Sequence, residues 1–208
     1  MAFDFFDSLR PKRKALDPEV AAHIPPGQTL TEKWPVLHYG GVPREDLAKW
    51  SFRIFGLVEE PVTLNWEQFM ALPHRTFHND IHCVTHWTKL NNDWEGVPFE
   101  EVLKLVKLKP NATHVMVHAD VNFTANLALD ELLRPEEDAR SFFAFKHGGE
   151  PLTPEHGWPL RLVVPKLYFW KSAKWVRGLE FMERDRPGFW ESYGYHMHGD
   201  PWLEERYG

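Results

Sequence analysis

Apolar and polar residues alternate along several short stretches of the chain, which is the pattern of half-buried β-strands. The clearest stretch covers residues 50–58 (WSFRIFGLV). Similar patterns, or short apolar runs rich in β-branched and aromatic residues, predict further strands. These strands cover residues 75–88, 113–119, 123–129, 141–146, 160–164 and 174–182.

Three stretches carry helix signals instead. Asn65 is a good N-cap for a helix over residues 66–72, which Pro73 ends. Apolar residues at helical spacing predict a longer helix from Pro98, closed by Pro110, and a short helix covers residues 130–133. Because strands and helices mix without regular alternation, we predict an α+β fold with mixed sheets and short flanking helices.

One domain is expected. A chain of 208 residues buries about 70% of its unfolded surface without a disulfide or zinc site. Residues 1–33 are predicted to form a poorly ordered arm that ends in a Pro-Pro-Gly sequence. The domain then covers residues 34–208, with an aromatic, irregular tail from Pro187 onward.

Composition excludes several classes of protein. The 24 basic and 30 acidic side chains give a net charge of −6, which argues against a general nucleic-acid surface. The single cysteine, Cys83, excludes an internal disulfide framework. No apolar stretch has the length of an export signal or a membrane span, so we expect a cytoplasmic protein that does not contact membrane. The 10 tryptophans and 12 histidines suggest a binding site.

Common catalytic and nucleotide-binding motifs do not occur in the sequence. It contains no G-x-G-x-x-G, P-loop, H-E-x-x-H, C-x-x-C or G-x-S-x-G pattern. Dinucleotide binding, P-loop chemistry, zincin proteolysis and nucleophile-elbow hydrolysis are therefore disfavoured.

Histidines recur every four residues around the cysteine, at His74, His78, His82 and His86. On a helix they would share one face and could bind zinc or nickel. The preceding proline and the β-branched residues between them disfavour a helix. On a strand they would share a face opposite Cys83, but a four-residue step spans about 13 Å, too far for one metal. Pocket-lining histidines are favoured, and a metal cluster remains the alternative.

Cys83 itself has two interpretations. A lone cysteine is often a small buried apolar residue. Its neighbours His82, His86 and Trp87 instead suggest a soft thiolate ligand, which suits copper, iron–sulfur or another thiophilic metal.

A basic segment, defined here as residues 156–179, contains no acidic residue. It carries a local charge of +5, from Arg161, Lys166, Lys171, Lys174 and Arg177. Together with its aromatic residues, this favours a fixed anionic partner that contains a planar ring. A solvated basic face is the alternative.

Taken together, these motifs resemble the catalytic domain of the sulfite oxidase-like molybdopterin oxidoreductases. The matching segments are residues 80–85 (DIHCVT), 155–165 (EHGWPLRLVVP) and 171–175 (KSAKW). The ending over residues 194–202 is similar to a small branch of the family that has neither haem nor a dimerisation domain.

The resemblance implies a mononuclear molybdenum held by one pterin and by the Cys83 thiolate. It also implies a set of residues that contact the pterin or its phosphate: His38, Tyr39, Asp120, His156, Arg161, Ser172, Ala173 and Lys174. Cys83 and His86 are then the residues expected at the reacting centre. The cofactor carries out two-electron oxygen-atom chemistry, and the protein orients it.

Two positions depart from the sulfite-oxidising members that the sequence resembles. His86 stands where they have an arginine, and Phe123 stands where they have a tyrosine. A histidine is a weaker anion site than an arginine, so we predict poor sulfite oxidation and favour reduction of a small S-oxide or N-oxide. No haem or iron–sulfur motif occurs, so a separate electron carrier is expected.

Two other functions remain open at this point. One is a hydrolase with a metal bound by His78, His82 and His86. The other is a module that binds a phosphorylated ligand without catalysis.

Overall fold

The computed structural model describes residues 16–208. Its elements in chain order are α1 (Pro18–Ala21), β1 (Thr29–Leu30), β2 (Ser51–Gly56), β3 (Val62–Asn65), α2 (Trp66–Met70), β4 (Arg75–Cys83), β5 (Trp87–Pro98), α3 (Phe99–Leu103), β6 (His114–Ala119), β7 (Thr124–Ala128), α4 (Leu129–Leu132), β8 (Phe142–His147), β9 (Glu150–Pro151), β10 (Arg161–Val163) and β11 (Val176–Met182).

These strands form two mixed sheets. In the first, the order is β1-β5-β8-β10, with β4 also paired to β5 and β9 to β8. In the second, the order is β3-β2-β11-β6-β7. The β1–β5 and β2–β11 pairs are parallel and the other pairs are antiparallel. The mixed sheets and short helices confirm the α+β prediction.

One hydrophobic cluster joins the two sheets. Val97 and Phe143 from the first sheet pack in the same buried cluster as Phe52, Val117 and Leu179 from the second. Burial of apolar area at about 25 cal/mol per Å² makes such a cluster the main stabilising contribution. The cluster also fixes, relative to one another, the strand ends that carry the functional residues.

Local sequence accounts well for β2 and α2. In β2, Phe52 and Ile54 are buried whereas Ser51 and Arg53 are exposed, as the alternation predicts. Asn65 caps α2, and its side chain and that of Gln68 exchange hydrogen bonds with each other's backbone N–H.

Two elements differ from the sequence-based prediction. Strand β5 continues ten residues beyond Thr88, through a polar stretch in which Asn92 is buried and donates to the carbonyls of Asn79 and Lys89. The helix from Pro98 is only Phe99–Leu103, because the chain then turns and Leu108 forms an isolated bridge to Val58, two residues beyond β2. Contacts with residues distant in the sequence set the length of the strand and the end of the helix.

The predicted arm is partly built into the fold. Thr29 and Leu30 pair with the start of β5, and the Thr29 N–H donates to the His86 carbonyl at 3.0 Å. The basic cluster of residues 10–14 lies outside the described residues. Within residues 16–208, no helix is both long and apolar enough to cross a membrane.

Candidate active site

A cavity of about 320 Å³ opens where the end of β4 faces the turn that precedes β11. The segment after β1 and the C-terminal segment complete its walls. The lining residues are Trp34, Pro35, Leu37, His38, Tyr39, Cys83, Val84, Thr85, Trp87, Val121, Phe123, Arg161, Phe169, Trp170, Ser172, Ala173, Lys174, Trp175, Trp190 and Tyr195. We call this space the main cavity.

Cys83 is the last residue of β4 and contributes its thiol to the main cavity wall. Only 8% of the residue is exposed, and its Sγ lies 3.2 Å from Thr85 Oγ1. Burial raises the pKa of the thiol. The residues packed around it are mostly aromatic, namely Val84, Tyr168, Trp170, Trp87, Trp190 and Tyr195. A soft sulfur atom in apolar surroundings is suited to bind a thiophilic metal.

Arg161 begins β10 and is 1% exposed. Its guanidinium donates to the carbonyls of His156 (2.9 Å) and Ser172 (3.0 Å) and lies 4.2 Å from the centre of the Phe169 ring. Within residues 16–208 it has no carboxylate partner, and its Nε has no hydrogen-bond partner. Burial lowers the pKa of Arg161 to about 9. A buried cation without a counter-charge indicates an anion site.

Lys174 is a second cation without a counter-charge, and it is half-buried. Its Nζ donates to the carbonyls of Leu37 (2.8 Å) and Glu155 (2.5 Å), and no carboxylate of the described chain pairs with it. Burial, followed by the charge of Arg161, lowers the pKa of Lys174 to about 7. An anion bound between Arg161 and Lys174 would oppose the lowering of both pKa values.

The turn between the two cations is held by its own hydrogen bonds. Ser172 Oγ accepts from the Val164 N–H at 2.9 Å, and the Ala173 carbonyl accepts from the Leu162 N–H at 2.8 Å. Both residues are buried and both line the main cavity. The predicted phosphate-binding turn is therefore rigid and open to the main cavity.

Three further predicted contacts lie at or beside the main cavity. His38 and Tyr39 line it, and the Tyr39 ring packs against Phe189 with 4.4 Å between the ring centres. His156 stays behind the lining, where its ring stacks on Trp34 at 3.9 Å. Its Nε2 is buried without a partner, and burial lowers its pKa.

His86 and Asp120 are not brought to the main cavity. His86 lies in the turn after Cys83 with φ 68°, and its Nδ1 donates to the Gly27 carbonyl at 2.9 Å. Asp120 accepts from Arg177 Nε at 2.6 Å, and Arg177 also contacts Glu45. Neither residue is part of the lining.

The histidine repeat does not form a metal site. His78 pairs with Asp93, the buried His82 ring contacts Thr88 Oγ1 at 3.0 Å, and His86 faces Gly27. No group of three potential ligands with metal-binding geometry occurs in residues 16–208. The histidine-metal hypothesis consequently has no site in the described chain. A helix was rightly disfavoured here, but the predicted common strand face was wrong, because His74 and His86 lie outside β4.

Most of the basic segment is neutralised internally. Lys166 pairs with Asp138, Lys171 with the buried Glu191, and Arg177 with Glu45 and Asp120. The prediction that all five charges of the basic segment face one anionic partner was therefore too broad. Among the residues that the structure describes, Arg161 and Lys174 are the members of this segment that lie in the main cavity wall without an acidic partner.

Sequence reasoning missed several lining residues. Trp34 lies next to the predicted arm boundary, and Trp190 and Tyr195 belong to the tail described only as aromatic. The signal that these residues share is the high aromatic content of segments without periodicity. Such composition does not show where in the fold a residue lies.

Comparison with known families identifies the class of protein. Residues 39–190 match the family model described as oxidoreductase molybdopterin binding domain. The chain therefore belongs to this family, as its resemblance to sulfite oxidase-like enzymes implied. It is an oxidoreductase whose cofactor is molybdenum-molybdopterin, and the alternative of a non-catalytic module is not supported.

Curated relatives narrow the position of the chain within the family. The uncharacterised oxidoreductase YuiH of Bacillus subtilis (strain 168) is 47% identical over 195 residues, covering 93% of this chain and 96% of that protein. The catalytic subunit MsrP of the protein-methionine-sulfoxide reductase of Gluconobacter oxydans is 28% identical, covering 74% of this chain. This chain spans 55% of the length of MsrP and 20% of that of a Phaseolus vulgaris nitrate reductase.

A solved structure supports the fold alone. The sulfane dehydrogenase SoxCD of Paracoccus pantotrophus superimposes with a TM-score of 0.64 at 20% identity, covering 85% of this chain and 55% of that one.

The residues of the main cavity fit the cofactor. A single soft ligand at one end suits a metal whose other ligands come from the pterin. Two cations that bond only to carbonyls, with an unpartnered Nε on Arg161 and an unpartnered Nε2 on His156, suit its anionic end.

Proposed function

We propose that this oxidoreductase reduces small neutral S-oxides or N-oxides by two-electron oxygen-atom transfer. One observation carries the proposal: Cys83, Arg161 and Lys174 line the same main cavity, and the surroundings of the thiol are apolar and aromatic. A protein ligand for the metal and two cations for the pterin phosphate thus meet in one space.

Cys83 would be the protein ligand of molybdenum. Arg161 and Lys174 would hold the pterin phosphate, together with main-chain groups of Ser172 and Ala173. His38, Tyr39 and His156 would contact the pterin. When bound, the cofactor supplies the two-electron redox and oxygen-atom chemistry, and the chain orients it and excludes water.

The choice of a neutral substrate rests on the position that carries an arginine in sulfite-oxidising members. His86 occupies that position and bonds to Gly27 outside the lining, and Phe123 lies in the wall. Two other cations act on the thiol, but Lys174 is assigned here to the pterin phosphate and Arg206 lies outside the lining. Sulfite and nitrate are anions, so they would lack the counter-charge that the arginine supplies. The names of two relatives, MsrP and the subunit YedZ1 of Azospira oryzae, refer to methionine sulfoxide, which is a neutral S-oxide group.

The overall reaction needs electrons from outside the chain. In R₂SO + 2 H⁺ + 2 e⁻ → R₂S + H₂O, the S–O bond breaks and the oxygen leaves as water. A separate electron carrier would supply both electrons, because no haem-attachment or iron–sulfur motif occurs in the sequence. We propose a cytoplasmic location for this reaction, which subcellular fractionation tests.

The central test is Cys83→Ser in protein made in a molybdenum-replete host. We expect turnover of methyl phenyl sulfoxide with a reduced viologen dye to fall to background while the unfolding transition stays close to that of the wild type. His86→Gln is the matched control and should retain turnover, since its ring lies outside the lining. Full activity of Cys83→Ser would refute the ligand assignment, and faster turnover of sulfite or nitrate than of the sulfoxide would refute the substrate class.

A further inference from the structure

Tyr195 is a lining residue that the C-terminal segment adds to the main cavity. It lies five residues beyond the part of the chain that matches the family model, which ends at residue 190. Its ring packs at 5.2 Å from Trp170 and 5.1 Å from Trp190, measured between ring centres. Trp170 packs in the same buried cluster as Cys83, so Tyr195 belongs to the wall beside the thiol.

The hydroxyl of Tyr195 is free to act on a ligand. Within residues 16–208 it makes no hydrogen bond to the protein. Burial, and after it the neighbouring Tyr207, raises the pKa of Tyr195. The phenol therefore stays protonated at neutral pH and remains a donor.

Other polar groups around the thiol are engaged or enclosed. Trp170 Nε1 donates to Glu191 at 2.8 Å, and the Thr85 hydroxyl lies 3.2 Å from Cys83 Sγ. Tyr168 does not line the main cavity. In the cluster around Cys83, the lining residues with donors that make no hydrogen bond within the described chain are therefore Trp87, Trp190 and Tyr195. Tyr195 supplies the only hydroxyl among these three.

The backbone holds Tyr195 in place. Its N–H donates to the Trp190 carbonyl at 3.2 Å, and it forms an isolated β-bridge with Tyr207. The preceding Gly194 has φ 93°, a conformation that glycine adopts without strain. A side chain that is positioned before the ligand binds loses little entropy on binding.

We propose that the Tyr195 hydroxyl donates a hydrogen bond to the oxide oxygen of the substrate and so selects neutral S-oxides and N-oxides over their reduced forms. This inference rests on the proposed function. Oxide oxygens are strong acceptors, and a neutral donor satisfies them without the counter-charge that an anion requires. The same bond would stabilise charge that develops on the oxygen as the S–O bond breaks.

Binding of an unreactive oxide tests this role separately from turnover. Titration calorimetry of the oxidised holoenzyme would compare methyl phenyl sulfone, which has S–O oxygens, with thioanisole, which has none. We expect Tyr195→Phe to weaken sulfone binding about ten-fold, the order of one hydrogen bond, and to leave thioanisole binding within about two-fold. Tyr207→Phe is the matched control, since this 68% exposed ring contacts Tyr195 outside the lining, and it should change neither ligand.

Three outcomes with the variants would overturn the role of Tyr195. They are equal weakening of both ligands in Tyr195→Phe, unchanged sulfone binding in that variant, and a selective loss in Trp190→Phe instead. A wild-type enzyme that binds sulfone no better than thioanisole would also overturn it. Failure of the wild type to reduce methyl phenyl sulfoxide would refute the proposed function, and this is a separate measurement.

Discussion

Two cation sites lie three residues apart in the sequence and differ in what neutralises them. Lys171 is fully buried, and its Nζ lies 2.7 Å from Glu191 and also donates to the Asn126 and Met197 carbonyls. Lys174, with Arg161 beside it, has only carbonyl partners among the described residues. The first site is complete within the chain, whereas the second carries charge that a bound anion would balance.

This difference distinguishes a lysine with a structural role from a lysine with a binding role. Burying an ion costs several kcal/mol unless a counter-charge compensates it. Burial lowers the pKa of Lys171, and the paired Glu191 opposes this shift. The pKa of Lys174 is lowered to about 7 by burial and by the charge of Arg161, which outweigh the opposing charge of Glu155. The ion pair between Lys171 and Glu191 also stabilises the C-terminal segment, because Glu191 lies between Trp190 and Tyr195 and anchors their turn.

The largest effect is expected from breaking the complete site. Lys171→Met leaves the Glu191 carboxylate buried without its cation and should lower the free energy of unfolding by about 3–5 kcal/mol. Urea denaturation of the cofactor-free protein measures this. Adding Glu191→Gln, which keeps an acceptor for the Trp170 indole, should recover part of the loss. A double variant as unstable as the single one would show that the ion pair is not the cause.

A smaller effect on stability, with a clear effect on binding, is expected at the incomplete site. Arg161→Gln removes an uncompensated charge along with two hydrogen bonds to carbonyls, so unfolding of the cofactor-free protein should change by less than about 2 kcal/mol. Loss of a charged hydrogen bond to phosphate should weaken cofactor retention about ten-fold or more. Molybdenum and pterin content after dialysis reports this.

Arg53→Gln is the control for that variant, because Arg53 is exposed and stacks on Phe55. It should retain the cofactor. Wild-type cofactor content in Arg161→Gln would remove Arg161 from the phosphate site.

The effect that is smallest for a single step of one pH unit is a dependence of stability on pH at Lys174. Its pKa is about 7 in the folded chain and near the ordinary 10.5 in the unfolded chain. Between these values the unfolded state binds more protons, so the cofactor-free protein should gain stability as pH rises from about 7, by at most about 1.4 kcal/mol per pH unit. Unfolding at pH 7, 8 and 9 should show a shallower rise for Lys174→Met. Parallel curves for the two proteins would contradict an uncompensated lysine.

Much of the chemistry was accessible from sequence, but the positions of its charges were not. The Cys83 segment and the motifs containing Arg161 and Lys174 were found by their resemblance to a family. Composition could not show that Lys166, Lys171 and Arg177 are neutralised, because their partners Asp138, Glu191 and Glu45 lie far away in the sequence. His86 appeared close to the metal because it is near Cys83 in sequence, and its positive φ directs the chain toward Gly27 instead.

The amino-acid sequence by itself determined the alternating strands such as β2, the cap of α2, the single thiol and the family to which the chain belongs. These depend on local periodicity, on individual side chains or on contiguous motifs. Only the tertiary structure decided that β5 runs on through polar residues, that the C-terminal segment supplies Trp190 and Tyr195 to the main cavity, and which cations lack partners. Such features depend on contacts between residues distant in sequence, and neither hydrophobic pattern nor composition encodes which segments meet.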